Sequence, residues 1–260
     1  MSTDNIFSEK RKTGYFWGVV SFAFFLLILL GIYGVNRTAK TAATGCVYIW
    51  EGKKWVAFGD SLTDESINAD KKYHSYIAEK TGIDVVDMGM GLTGYWRGNE
   101  DGNAFYQRMK QIPGDADIIT IFGSVNDWRF VEAGGRIGSA SDSFEDGTLA
   151  GYVNECIDVA IEMAPNAQIA LITPPDYYGI SDTIMEEMAN MIVSVAKYRK
   201  IKFVDLYHES GFRIDIPEFA EEYTTDFSEE AERYGHPSNQ AHEQLLAPEF
   251  MELLRRMILS

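Results

Sequence analysis

The chain has 260 residues, 46% of them hydrophobic, and its 39 acidic residues against 23 basic ones give a formal charge of −16. So acidic a protein is poorly suited to nucleic acid or an anionic membrane surface, and its charge reads first as solubility. Cys46 and Cys156 are the only two cysteines; they make neither a disulfide framework nor a metal motif, and whether they pair cannot be deduced from their spacing.

Residues 1–15 form a polar N-terminal tail. From Phe16 to Val35 no residue is charged, and roughly 20 apolar residues suffice to cross a bilayer as a helix. Phe16, Trp17 and Tyr33 stand near the ends, where aromatic rings favour the interface. The run exceeds the apolar core of about 7–15 residues typical of a cleaved signal peptide. Ala-Thr-Gly-Cys46 lies well beyond it and lacks the aliphatic residue of a lipoprotein cleavage box. The expectation is an uncleaved transmembrane helix over 16–35 and a linker over 36–49. Lys10, Arg11 and Lys12 before the span, against Arg37 and Lys40 after it, favour an internal N-terminus. That makes a single-pass protein of the cell membrane with an extracellular domain over 50–260.

Within that domain, short apolar runs alternate with helical stretches. Strands are expected at Trp55–Phe58, Asp84–Met88, Asp117–Phe122, Gln168–Thr173 and Lys202–Leu206, each rich in Val, Ile or Phe as strands buried on both faces are. Helices are expected at Tyr73–Lys80, Ala104–Ile112, Leu149–Met163, Ser181–Arg199 and Ser238–Ile258. In the fourth, Ile184, Met188, Met191, Ile192 and Val195 recur at helical spacing and read as core. Glu132–Gly147 and His208–Gly235 fit no element. Both are long for connections and both follow a strand, so either could border a site. The alternation implies a parallel sheet covered by helices on both faces, a three-layer α/β/α sandwich.

The chemistry gathers at the strand ends. After the first strand comes Gly59-Asp60-Ser61-Leu62-Thr63, with Gly59 allowing a tight exit and Ser61 displayed at the carboxyl edge. It is not the G-x-S-x-G elbow, because Thr63 replaces the second glycine. After the second strand comes the glycine-rich run Asp87-Met88-Gly89-Met90-Gly91-Leu92-Thr93-Gly94-Tyr95, and after the third Gly123-Ser124-Val125-Asn126-Asp127. Near the C-terminus stands Gly235-His236-Pro237 before a final helix. Of four histidines, His74 and His242 fall in helices, while His208 and His236 reach the carboxyl edge. No histidine or cysteine spacing suggests zinc, and Asp64 to Asp70 lacks the glycine and terminal glutamate of a calcium loop.

In these blocks and their order, nearly everything from Trp55 onward resembles the SGNH, or GDSL, hydrolase family. The resemblance implies a flavodoxin-like parallel sheet, with Ser61 as nucleophile and His236 as its base. It also implies an oxyanion pocket made by the amides of Ser61 and of Gly91 or Leu92, with the side chain of Asn126. Leu92 stands where the family has a glycine, and a shift of one residue would make Gly91 the donor. Ser124 replaces the glycine before the Asn-Asp pair, and Arg233 the aspartate three residues before the histidine. Glu232 is the first substitute for that carboxylate and Asp226 a more distant one.

The expected activity is serine-dependent hydrolysis of a small-molecule or glycan ester, such as O-acetyl or other acyl groups on glycans or lipids, without cofactor or metal. The three departures leave open a catalytically degenerate relative, a membrane-tethered binding module. A nucleotide-binding domain is disfavoured, since neither a P-loop nor G-x-G-x-x-G follows the first strand.

Overall fold

The computed structural model describes residues 49–98, 102–123, 125–177, 179–214, 216–226 and 235–260. These fall within one unit, Ile49–Ser260. The strands are β1 (Lys54–Gly59), β2 (Asp84–Gly89), β3 (Ile118–Phe122), β4 (Gln168–Ile172) and β5 (Lys202–Val204). They form one parallel sheet in the order β2-β1-β3-β4-β5. The order reverses at β1, whose neighbours are β2 and β3, so a crevice opens at the carboxyl ends of β1 and β3, where ligands of open α/β sheets bind.

The helices are α1 (Tyr73–Thr81), α2 (Phe105–Arg108), α3 (Trp128–Glu132), α4 (Leu149–Met163), α5 (Asp182–Arg199), α6 (Leu206–Glu209), α7 (Pro217–Tyr223), α8 (Asn239–Ala241) and α9 (Ala247–Ile258). Side chains along β1 alternate between faces with the pleat. Trp55 and Ala57 enter one core with Tyr73 of α1 and Phe250, Leu253 and Leu254 of α9. Val56 and Phe58 enter the other with Leu149 and Val153 of α4 and Met188 and Ile192 of α5. The Met/Ile stripe of α5 is therefore core, as its spacing implies.

Several elements differ from expectation. β2 is an edge strand and only partly buried. The second helix stops at Arg108 and tightens to a 3-10 turn at Met109–Gln111, because Ile112 precedes Pro113 and takes an extended conformation. The fifth strand ends at Val204, where the Asp205 side chain accepts from the His208 amide and caps α6. The stretch 208–235 contains α7, opened by Pro217, whose missing N–H costs nothing in a first turn. The last helix widens to a π turn at His242–Leu246, just before Pro248, which cannot donate to the preceding turn. Glu132–Gly147 is largely irregular but strapped to α4, since Asn154 Nδ2 donates to Ala140 O at 3.0 Å and to Asp142 O at 2.9 Å. Cys156 is buried in α4 and has no disulfide partner among the described residues. The expected span 16–35 and Cys46 lie outside the described residues, and no helix among the described residues is long and apolar enough to cross a membrane.

Candidate active site

Ser61 is carried on the turn that leaves β1. Gly59 is required there by crowding: a Cβ would lie 2.3 Å from Thr63 Oγ1 and 2.7 Å from Phe122 O. Asp60 folds the turn over itself. Its Oδ1 accepts from the Leu62 amide at 2.9 Å, and its carbonyl accepts from the amides of Thr63 and Asp64 at 3.1 and 3.0 Å. Its Oδ2 accepts from the Val125 amide at 3.3 Å, tying the turn to the loop after β3. Burial pushes the Asp60 carboxyl up to about 6, against the pull of those amides and of His236 and Lys72. The turn leaves Ser61 6% exposed.

His236 faces Ser61 across the crevice, with its Nε2 3.1 Å from Ser61 Oγ and its Nδ1 2.8 Å from Asp226 Oδ2. The His236 amide also donates to Asp226 Oδ1. Burial would raise the Asp226 carboxyl, but the bonds from the His236 ring and amide outweigh it and hold it below its usual range. Ionised, it can only accept, so Nδ1 carries the ring proton and the Nε2 lone pair is turned to the serine hydroxyl. Serine, imidazole and carboxylate in line are the arrangement nucleophilic acyl transfer uses.

Glu232 and Arg233 lie outside the described residues; the carboxylate the structure sets against His236 is Asp226, ten residues upstream. The reason is a backbone pairing. Thr225 N donates to His236 O at 2.9 Å and Ser238 N to Tyr223 O at 2.8 Å. This clasp sets the chain after α7 beside the histidine. His208, the rival base, is engaged elsewhere: its Nδ1 donates to Asp205 Oδ2 at 2.8 Å beneath the end of β5. His74 and His242 are buried.

The glycine-rich loop after β2 distinguishes Gly91 from Leu92. The Gly91 amide donates to Asp64 Oδ2 at 2.9 Å. Leu92 has φ 63°, the left-handed conformation that favours glycine, and is 58% exposed. Among the described residues the amides of Ser61 and Leu92 have no hydrogen-bond partner. Asn126 Nδ2 donates to Thr93 O at 2.9 Å and makes a longer 3.4 Å contact with Asp60 Oδ2. Ser61, Leu92, Asn126 and His236 share the wall of one cavity of about 270 Å³, otherwise lined mainly by Ile67, Val125, Trp128, Tyr177 and Ile180.

Three residues support the site, and two of them, Arg108 and Lys72, escape a motif reading. Asp127 accepts from the amides of Tyr95 and Trp96 at 2.8 and 3.2 Å, pinning the glycine-rich loop to the block after β3. Arg108, buried between Phe58 and Phe105, donates to Gly59 O at 2.9 Å, Met88 O at 2.8 Å and Thr93 Oγ1 at 3.1 Å. It therefore joins the ends of β1 and β2 to the loop bearing Leu92. Burial lowers its guanidinium to about 10 despite nearby carboxylates. Lys72, fully buried, donates to Ser61 O at 3.2 Å. Arginine in the aromatic run Phe105-Tyr106-Gln107-Arg108 was a readable signal; Lys72, amid polar residues, gave none.

The description of the GDSL-like lipase/acylhydrolase family matches residues 57–244. No curated protein sequence matches the chain. Solved structures share the fold at low identity. A Lactobacillus plantarum protein is 21% identical, covering 78% of this chain and 97% of its own, with a TM-score of 0.65. A possible lipase from Chitinophaga pinensis is 18% identical, covering 80% and 99%, with a TM-score of 0.56. An extracellular lipase from Streptomyces rimosus is 13% identical, covering 77% and 99%, with a TM-score of 0.51. The match runs from the middle of β1 through the π turn before the last helix, and on that ground the chain belongs to the GDSL-like lipase/acylhydrolase family and is an ester-hydrolysing enzyme.

Proposed function

We propose that ester hydrolysis runs through Ser61, His236 and Asp226. The carrying observation is the line of contacts from Asp226 through His236 to Ser61, 2.8 and 3.1 Å long, opening on an apolar-walled cavity. Ser61 Oγ attacks the ester carbonyl carbon while His236 Nε2 takes its proton. The carbonyl oxygen becomes an oxyanion held by the amides of Ser61 and Leu92 and by Asn126 Nδ2, whose weak contact to Asp60 a substrate oxygen would replace. Collapse breaks the bond to the alcohol, which leaves with the proton from His236. Water then attacks the acyl-serine by the same route, releasing the acid and restoring Ser61.

The acyl group lies against Ile67, Leu92, Val125, Trp128, Tyr177 and Ile180 in this reading. The test is the kinetics of a series of aryl esters of increasing acyl length. Turnover should fall by at least about 10³-fold in Ser61→Ala, and the Ser61→Ala/His236→Ala double variant should be little worse than either single one. A folded Ser61→Ala enzyme of near wild-type rate would sink the assignment.

The segment 16–35 is proposed as a membrane tether, on its length and lack of charge. With the domain outside, acylated glycans or lipids of the cell envelope become the accessible esters. Extraction of the full chain by carbonate, rather than by detergent only, would refute the tether.

A further inference from the structure

We infer that Arg129 makes this site selective for esters carrying an anionic oxygen group, a carboxylate or a phosphate, close to the scissile bond. The inference rests on the reading of the Ser61 cavity as the substrate site. The protein carries 39 acidic residues against 23 basic ones, yet among the described residues none that lines this cavity is aspartate or glutamate. Among the described residues, the titratable or charged groups on its wall besides His236 are Arg129 and the phenol of Tyr177, and Arg129 is the permanent cation.

Its partners elsewhere are few. Arg108 spends its donors on Gly59, Met88 and Thr93, Arg199 on Asn154 and Asp158, and Arg255 on Glu252. The half-buried Arg129 instead sets its guanidinium carbon over the Trp128 ring, 4.7 Å from its centre, and makes no ion pair or side-chain hydrogen bond among the described residues. A cation over a ring face makes no conventional hydrogen bond through that contact, so its N–H donors stay available to a ligand. The ring contact also restrains the side chain, so less rotamer freedom is lost when an oxyanion binds in the bidentate manner that guanidinium favours. Trp128 itself lines the cavity, so the held cation is beside the space a substrate occupies. A neutral apolar ester leaves those donors to water. An ester with a negative oxygen group in reach pairs with them.

The experiment compares matched neutral and anionic esters. One pair is 4-methylumbelliferyl hemiglutarate and its neutral isostere, the glutaramate ester, which places the charge on the acyl group. The other is 1-butyryl-glycerol 3-phosphate and 1-butyryl-glycerol, which places it on the alcohol. For each pair the ratio of kcat/KM, anionic over neutral, is read in wild type, Arg129→Gln and Arg129→Lys. The same ligands are titrated calorimetrically into Ser61→Ala, which reports selectivity without turnover.

Wild type should prefer the anionic member of one pair by about tenfold at low salt, the worth of one charge-assisted hydrogen bond. That preference should shrink as salt screens it, fall to about one in Arg129→Gln, and persist in part in Arg129→Lys. Which pair shows it assigns the anion to the acyl group or to the alcohol. A ratio near one in both pairs, by kinetics and by binding to Ser61→Ala, would overturn the inference, as would a preference that survives Arg129→Gln. Failure of the Ser61 reading looks different: esters would be cleaved by Ser61→Ala, or by neither protein, while the binding titration still decides the role of Arg129.

Discussion

At Leu92 the backbone holds a branched side chain at φ 63°, where an L-residue costs about 1–2 kcal/mol more than in ordinary conformations. The side chain is largely exposed and loses little packing on removal. Leu92→Gly should therefore raise the stability of the domain by about 1 kcal/mol in denaturant melts, and a lowered midpoint would mean that the loop relies on the leucine instead. Lys72 is the other residue under strain, electrostatic in its case. Burial pulls its ammonium down to about 8 from 10.5, against the pull of Asp64, Asp60, Asp87 and Glu65. The unfolded chain keeps that proton to higher pH than the folded one. The resulting cost to stability is complete below pH 8 and disappears as pH rises through 10.5. The stability difference between wild type and Lys72→Met should move in favour of wild type over that interval, and parallel pH profiles would contradict a buried ammonium.

At the level of elements, the site is assembled by side chains that bind strand ends to loops. Arg108 joins the carbonyls ending β1 and β2, and Arg108→Met would strand them in a buried, aromatic setting. A loss of about 2–4 kcal/mol is expected in chemical denaturation, and a change under about 0.5 kcal/mol, the range of unconstrained surface changes, would show the carbonyls satisfied otherwise. The same long-range ties decide what a sequence can reveal. Strand and helix order is legible because burial imposes local periodicity, and Ser61, Asn126 and His236 each sit in a contiguous block at a strand end or before a helix. Asp226 is not legible in this way. It reaches His236 through pairing between the chain after α7 and the chain before α8, which no fixed spacing encodes. α7 itself hid in an acidic stretch whose one helical cue was Pro217. A tight exit from the strand is what the sequence alone suggests for Gly59, whereas the structure demands it for lack of room beside Thr63 and Phe122.

Across the whole molecule, a parallel sheet whose order reverses at β1 opens one crevice, and the loops after β1, β2 and β3 with the clasp before α8 converge there. Among the described residues the wall they make is largely apolar and carries no carboxylate, in a chain of charge −16. The claim on which the rest depends is that Ser61 is activated by His236 held by Asp226. It is tested most directly by the rate at which a fluorophosphonate labels the intact protein, read by mass spectrometry. One adduct on Ser61 is predicted in wild type and none in folded Ser61→Ala or His236→Ala. Labelling of Asp226→Asn should be slower by about 10²–10⁴-fold, and that of Glu232→Gln unchanged. Wild-type protein that stays unlabelled, or labelling that tracks Glu232 rather than Asp226, would contradict this account.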